Sequence, residues 1–209
     1  MRNFGLWFCL GLVLAATASG SRAEVGEVRL GQQLGAVYLP AMVMESQQLI
    51  EKHLAAAGMG DVKVGWVKLG GAAAINDATL SGNVHFACQG LPSLAVIWDR
   101  TRGGIGVKAL GALASNNVWL NTRNPDIVSL KDFTDKDRIA VPSLRVSAQA
   151  ILMHIAAEQM WGQGNHTRLD RFIVAMPHPE AAVAVLNAGH EVNTHFATSP
   201  FHEAEMKGA

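Results

Sequence analysis

The sequence predicts an α/β protein in which a mostly parallel β-sheet is covered by helices on both faces. One observation is the repeated order of a short apolar run, a glycine-containing turn and a helical pattern. That order is typical of parallel strands joined by crossover helices. The other is composition: 49% of the 209 residues are hydrophobic and 16% are charged, so the chain can bury a large core. The net charge of zero indicates neither a nucleic-acid partner nor a membrane surface.

Residues 1–23 have the features of a cleavable signal peptide. Arg2 precedes an apolar run at residues 6–16 that is short for a membrane span. Small residues at 21 and 23 suit a signal peptidase, and residues 16–18 offer an alternative cleavage site. A retained anchor helix is the other interpretation. We expect export to the periplasm.

Cysteine usage adds one expectation. Cys9 lies in the middle of the apolar run of the signal segment, which does not suit a lipoprotein. Cleavage would leave Cys88 as the only cysteine, so no intrachain disulfide is expected.

Residues 24–117 are predicted to form a first lobe of alternating strands and helices. Strands are predicted at residues 28–34, 62–67, 84–87 and 107–113. Helices are predicted at residues 39–57, after Gly70-Gly71, and from about residue 91 to 100.

Residues 118–209 are predicted to form a second lobe, entered through a crossover at residues 118–129. Residues 118–121 are a short apolar passage, and strands are predicted at residues 138–141, 172–174 and 192–197. A short helix and turn is predicted at residues 130–137, and helices are predicted at residues 147–161 and 180–187. In parallel sheets of this kind, ligands bind at the carboxyl ends of the strands.

Several phrases, in this order, resemble the periplasmic solute-binding proteins of ABC importers, in the nitrate/sulfonate/taurine class. They are the Gly70-Gly71 turn, the phrase at residues 80–87 (LSGNVHFA), the Leu91-Pro92 turn, residues 130–133 (LKDF) leading to 139–142 (IAVP), and residues 194–196 (THF) with 199–201 (SPF). The resemblance covers about residues 27 to 203.

The resemblance implies a periplasmic binding protein of type II, with two βα lobes that close on a ligand. It implies no cofactor and no catalysis. Its partners would be a small organic anion or heterocycle and an inner-membrane permease, and the protein would be a monomer. Two departures stand out: His85 occupies a position that is usually Asp in the family, and the family's return to the first lobe does not follow residue 203. The expectation is therefore a C-terminally truncated member with an incomplete first lobe.

Candidate ligand contacts in the first lobe follow the ends of the predicted strands. Gly70, Gly71 and Ala72 would present helix N–H groups to an anion, or would form a tight packing turn. Other candidates follow the first and third strands, and their alternative is a simple turn; they are Gly35, Tyr38, Gln89 and Gly90.

In the second lobe, Arg145 and Ser147 begin a helix and suit an oxyanion. The alternative is an N-cap serine beside a solvated arginine. His195 ends a strand and is a further candidate ligand contact, because the aromatic ring of the adjacent Phe196 could stack on a ligand. The alternative is that Phe196 packs in the core.

Two other classes of site have little support. The eight histidines show no metal-ligand spacing, so no metal site is expected. His85 and Cys88 are predicted to point to opposite faces of one strand, and no serine lies in a G-x-S-x-G context. The alternatives to a binding protein are an enzyme of the same fold acting on a pyrimidine-type heterocycle, and a non-functional remnant.

Overall fold

A computed structural model describes residues 25–208, so the predicted signal peptide lies outside the described residues. The first lobe contains three strands and four helices. They are β1 (Glu27–Gln32), α1 (Leu39–Ser46), α2 (Leu49–Ala56), β2 (Lys63–Lys68), α3 (Ala72–Leu80), β3 (Phe86–Ala87) and α4 (Leu91–Thr101).

The first-lobe sheet has the order β2-β1-β3, and both pairs of neighbouring strands are parallel. Leu30 on the central strand is opposite Trp66 on one side and Phe86 on the other. All three strands therefore direct their carboxyl ends to the same edge of the sheet, as the repeated strand–turn–helix order predicts.

The single helix predicted at residues 39–57 is two helices. The break is at Gln48, whose φ of 52° lies in the left-handed region. Gln48 is the N-cap residue of α2. An apolar period of 3.6 continues across this point, so the period alone did not predict the break.

The strand predicted at residues 107–113 is wrong, because this segment is neither helix nor strand. Leu110 is 83% exposed and Leu113 is 42% exposed. Its alternating apolar residues resemble a strand, but a strand also needs a partner, and β3 pairs only with β1. Gly106 and Gly111 further weaken the segment's tendency to extend.

The second lobe is built around a four-stranded sheet. Its elements are β4 (Trp119–Thr122), β5 (Ile139–Val141), α5 (Ala148–Trp161), β6 (Ile173–Ala175), α6 (His178–Leu186), β7 (Thr194–Ala197) and α7 (Phe201–Gly208). The strand order is β4-β7-β5-β6, with β4 antiparallel to β7 and the other pairs parallel. The α7 helix was not predicted from the sequence.

Both faces of β5 are buried, which explains its apolar sequence. Ile139 packs with Met153 of α5, whereas Ala140 packs with Ala181 of α6 on the opposite face. Adjacent residues of a strand point to opposite faces, so one short strand supports two helices. This arrangement fixes the starts of α5 and α6 at the same edge of the sheet.

The helix predicted at residues 130–137 is wrong, because the segment folds into two turns instead. Asp132 accepts hydrogen bonds from the amides of Val128 and Ser129. Asp137 accepts hydrogen bonds from the amide and the hydroxyl of Thr134. Side chains that bond the nearby backbone in this way stabilise turns at the expense of helix.

Asp137 is also the centre of a buried polar cluster that joins three segments. Its Oδ1 accepts from the Asn124 amide at 3.0 Å and from the Asn193 amide at 2.6 Å. Although burial raises the pKa of this carboxyl, the hydrogen bonds from Thr134, Asn193 and Asn124 outweigh it and lower the pKa to about 2. The carboxylate thus links β4, the turn before β5 and the segment before β7.

We expect Asp137→Ala to lower the free energy of unfolding by about 2–4 kcal/mol, because several buried donors would lose their acceptor. Chemical denaturation at neutral pH measures this change. Asp135→Ala is the matched control, since the Asp135 side chain is 83% exposed. Equal stability of the two variants would contradict the role assigned to Asp137.

Candidate functional site

The carboxyl ends of the parallel strands in the two lobes meet across a narrow junction. Turns that follow β1, β2 and β3 approach turns that follow β5, β6 and β7. We call this set of contacts the inter-lobe seam. Its residues are Gly35, Gly70, Gly71 and Gly90 of the first lobe, with Pro142, Ser143, Ala148, Pro177 and Ser199 of the second.

The closest approach is at Gly71, where a Cβ atom would collide with the Pro142 carbonyl oxygen and the Ser143 hydroxyl. Gly71 has a φ of −170°, which any residue adopts, so glycine is required here for space alone. The Ala73 amide, in the first turn of α3, donates to Ser143 Oγ at 3.2 Å. The predicted anion cradle at Gly70, Gly71 and Ala72 therefore faces a hydroxyl of the other lobe.

Gly35 makes the second close contact, and here the backbone conformation also requires glycine. Its φ is 141°, and a Cβ atom would lie 3.5 Å from the Ser199 carbonyl oxygen. The amide of Ala36 donates to that same oxygen at 2.7 Å. One backbone hydrogen bond thus joins the β1 turn directly to the turn after β7.

Gly70 and Gly90 complete the seam. A Cβ atom on Gly70 would lie 2.8 Å from Pro177 Cγ, just before α6. One on Gly90 would lie 3.8 Å from the Cβ of Ala148, the first residue of α5. Four of the predicted first-lobe residues, which are Gly35, Gly70, Gly71 and Gly90, are therefore brought together at the seam.

The N-termini of four helices converge on the seam. They are the starts of α3 after Gly71, α4 after Gly90, α5 after Ser147 and α6 after Pro177. Each helix start carries unsatisfied N–H groups and a partial positive charge. The junction is therefore suited to negative charge: the first turns of α3, α4 and α5 contain no acidic side chain, and that of α6 contains Glu180.

Tyr38 lies beside the β1 turn and is half-buried. Its hydroxyl accepts a hydrogen bond from Gln33 Nε2 at 2.9 Å. Burial, and secondarily the proximity of Cys88, raise the pKa of the phenol well above its usual range. Tyr38 therefore stays protonated and contributes a neutral hydroxyl.

Cys88 is half-buried at the end of β3, and burial raises the pKa of its thiol. A protonated thiol is a poor nucleophile. His85 is engaged elsewhere, since its Nδ1 accepts from the Arg29 amide at 3.0 Å. These two residues do not form a nucleophile–base pair in the described structure.

Gln89 turns its side chain toward the first turn of α4. Its Oε1 lies 2.6 Å from the Ser93 hydroxyl, which also lies 3.0 Å from Asn76 Oδ1. The three side chains tie the β3 turn to α3 and α4 behind the seam. In this arrangement Gln89 supports the Gly90 turn rather than reaching across the junction.

Ser147 and Arg145 differ in their surroundings. Ser147 is buried; its hydroxyl donates to the Ser143 carbonyl at 2.6 Å and accepts from the Ala150 amide at 3.2 Å. It is thus the N-cap of α5, which is the alternative that the sequence left open. Arg145 is exposed in a left-handed conformation with a φ of 62°.

His195 is fully buried behind the seam and does not line it. Its Nδ1 lies 2.5 Å from Glu205 Oε1, and its Nε2 lies 2.7 Å from His178 Nδ1. Sequence patterns gave no sign of this cluster, because its members are separated by 10 and 17 residues and come from three elements. The residues that sequence reasoning missed at the junction are Ala73, Pro142, Ser143, Ala148, Pro177 and Ser199.

A depression of about 390 Å³ lies along α6, and its lining includes none of the predicted ligand-binding residues. Within residues 25–208, no group of three or more His, Cys, Asp or Glu side chains is arranged to hold a metal ion. None of the helices in this range combines the length and apolarity that crossing a membrane requires.

Neither the family models nor the curated proteins compared with this chain match it. Solved structures do. They include the periplasmic aliphatic sulphonate binding protein SsuA from Escherichia coli (16% identity, TM-score 0.52). They also include the alkanesulfonate-binding protein SsuA from Xanthomonas axonopodis pv. citri bound to MOPS (16%, 0.58). A third is the ligand binding component of an ABC-type import system from Staphylococcus aureus with zinc bound (17%, 0.59).

Each of these similarities covers 88% of this chain but only 57% or 58% of the solved structure's chain. The chain thus spans less than two thirds of the length of these proteins. At such low identity the similarity establishes architecture rather than ligand. This chain has the α/β fold of the type II periplasmic binding proteins, with two βα lobes.

Proposed function

We propose that the protein is a non-enzymatic solute-binding component of an ABC importer that holds a small organic anion, of the sulfonate type, at the inter-lobe seam. The observation that carries this proposal is the convergence of the four helix N-termini of α3, α4, α5 and α6 on one junction. Oxyanions bind at helix N-termini because free N–H groups and the helix dipole both favour negative charge.

The seam contacts suggest how the anion would enter. The Ala73 amide and the Ser143 hydroxyl, which bond each other across the seam at 3.2 Å, are both donors that an anionic oxygen can accept from. Separation of the lobes would free the Ala73 amide, whereas the Ser143 hydroxyl donates to the Pro142 carbonyl of its own lobe and would turn from it to a ligand on closure. The ligand would then be passed to a membrane permease from an extracytoplasmic location, with the protein acting as a monomer.

Arg145 and Ser147 have different parts in this proposal. Arg145 is exposed one turn before α5 and offers a guanidinium that can pair with an oxyanion when the lobes separate. Ser147 acts indirectly, because its hydroxyl caps α5 and orients the Ser143 carbonyl. Tyr38 and Gln89 support the β1 and β3 turns from behind.

A ligand panel tests the proposal. We expect alkanesulfonates, taurine or nitrate to raise the melting temperature of the protein, and uncharged analogues of the same shape to leave it unchanged. Titration calorimetry should then give a dissociation constant for the stabilising anion. Stabilisation by none of the anions, or turnover of a pyrimidine-type heterocycle, would overturn the proposal.

The variant Ala73→Asp separates anion binding from folding. Ala73 is exposed in the first turn of α3, where a carboxylate stabilises the helix dipole but repels a bound anion. We expect affinity for the stabilising anion to fall at least about tenfold with unchanged or higher thermal stability. Ser115→Asp, at an exposed site outside any helix or strand, is the matched control and should bind as the wild type does.

A further inference from the structure

A chain of buried side chains lies directly behind the second-lobe side of the seam and has no part in the proposed ligand contacts. It runs from Gln149 of α5 through His178 of α6 and His195 of β7 to Glu205 of α7. Each of these residues is at most 6% exposed. Four elements of the second lobe are therefore connected by side-chain hydrogen bonds through its interior.

The atoms of this chain allow its hydrogen bonds to run in one direction. With Gln149 Nε2 as the donor to His178 Nε2 at 3.4 Å, the proton of that ring is on Nδ1. His178 Nδ1 then donates to His195 Nε2 at 2.7 Å, and His195 Nδ1 donates to Glu205 Oε1 at 2.5 Å. The carboxyl group of Glu205 ends the chain.

A second proton on His178 requires this arrangement to change. On Nε2 it would face the amide nitrogen of Gln149, and the amide would have to rotate to present its oxygen instead. The His178 ring is buried, and no carboxylate is hydrogen-bonded to it among the described residues. Burial, and secondarily the charge that His195 carries when protonated, lower the pKa of His178 to about 3.

Among the described residues, no charged side chain lies against His178 to pair with a second proton on its ring. Phe201 of α7 stacks on the His178 ring at 5.7 Å, and the side chain from α5 is an uncharged amide. Asn121 of β4 donates to Glu205 Oε2, and its side-chain oxygen is hydrogen-bonded to His202. Glu203, the next residue after His202, lies at the surface. Of the two imidazoles, therefore, only that of His195 is hydrogen-bonded to a carboxyl group in the described part of the chain, and that group is Glu205.

Two members of the cluster are adjacent in sequence to seam residues. His178 follows Pro177, which packs against Gly70, and Gln149 follows Ala148, which packs against Gly90. The hydrogen bond between Gln149 and His178 therefore sets the spacing of the two helix starts that contact the first lobe. Disruption of this bond would displace both contacts together.

We propose that this cluster makes the inter-lobe seam proton-sensitive: the closed seam requires a neutral His178, and acid favours an arrangement in which the starts of α5 and α6 withdraw from the first lobe. A conformation that exposes the imidazole to water binds a proton more readily than the closed one, so proton uptake shifts the population toward it. His178 and Gln149 are positioning residues for the seam in this proposal, which concerns the ligand-free protein and does not rest on the proposed function.

Hydrogen exchange at single amides of the full chain, without ligand, tests the proposal between pH 5 and 8. The amides of Ala36 and Ala73 report on the seam, because both donate across it. The amide of Cys88 donates to the Gly31 carbonyl inside the first lobe and is the internal reference. After correction for intrinsic exchange, protection of the two seam amides should lie below that of Cys88 and should fall by up to about tenfold per pH unit below about 6.5.

Replacement of His178 by asparagine should abolish this pH dependence, whereas His53→Asn, on the exposed face of α2, should retain it. The wild-type imidazole NMR signals give a second readout that needs no variant. His178 should be neutral and protonated on Nδ1 at pH 7, and seam protection should decline over the range in which it takes up a proton. Seam amides that follow Cys88 at every pH, or a His178→Asn variant with the wild-type profile, would overturn the proposal.

Discussion

Replacing Gly71 by alanine is expected to separate the two lobes while leaving α3 intact. The added Cβ would meet the Ser143 hydroxyl and the Pro142 carbonyl oxygen, which belongs to the backbone and cannot turn away as a side chain can. Alanine adopts the φ of −170° without strain, so the whole effect comes from the inter-lobe contact. We expect the free energy of unfolding to fall by about 1–3 kcal/mol, the usual range for overpacking, and the Ala73 amide to lose its protection from exchange.

Gly103→Ala is the control for this variant, because a Cβ at Gly103 meets nothing within 4 Å and its φ is not in the left-handed region. Its stability and its Ala73 protection should match the wild type. A Gly71→Ala protein with unchanged stability and a protected Ala73 amide would show that the lobes do not approach each other at this turn.

The free energy of unfolding is expected to fall as the pH is lowered from 6.5 to 5, because of His178. Its folded-state pKa of about 3 is below the value of about 6.5 for an unfolded chain, so the unfolded state binds more protons in this window. Stability therefore decreases with falling pH, by about 1.4 kcal/mol per pH unit and about 2 kcal/mol over the interval. Urea denaturation at several pH values measures the slope.

Substitution of His178 by asparagine should remove most of this slope, even if it lowers stability at pH 7 by breaking two buried hydrogen bonds. His53→Asn serves as the comparison for the loss of an imidazole outside the cluster. Keeping the pH above 5 avoids the titration of Asp137, whose stabilising effect is lost only as the pH falls from about 4 toward 2. Equal slopes in the wild type and the His178 variant would contradict the assignment.

Many of the residues that the first lobe contributes to the seam were predicted from the sequence, because their positions depend on patterns a few residues long. Gly35, Gly70, Gly71 and Gly90 each follow a strand-like run and precede a helical pattern, and parallel strands place such turns at one edge. The partners of these turns were not predicted. Pro142, Ser143 and Ser199 approach the first lobe only because two separate sheets face each other, a relation between distant segments that no local pattern records.

The roles of individual side chains were less predictable than their positions. Ser147 begins a helix as expected, but the choice between ligand contact and helix cap depends on whether the Ser143 carbonyl lies within reach of its hydroxyl. His195 ends a strand as expected, yet its partners Glu205 and His178 come from helices elsewhere in the chain. Residues 107–113 show the reverse case, where a plausible local pattern had no partner strand to pair with.

The α/β class, most of the strands and helices and the glycine turns at the strand ends were predictable from the sequence, because apolar periodicity, helix capping and turn chemistry act over a few residues. The closure of these turns against a second lobe, the convergence of four helix starts there and the histidine pair buried behind them are seen only in the folded chain. Those features depend on contacts between residues far apart in the chain, where burial and hydrogen bonding, not local preference, set the free energy.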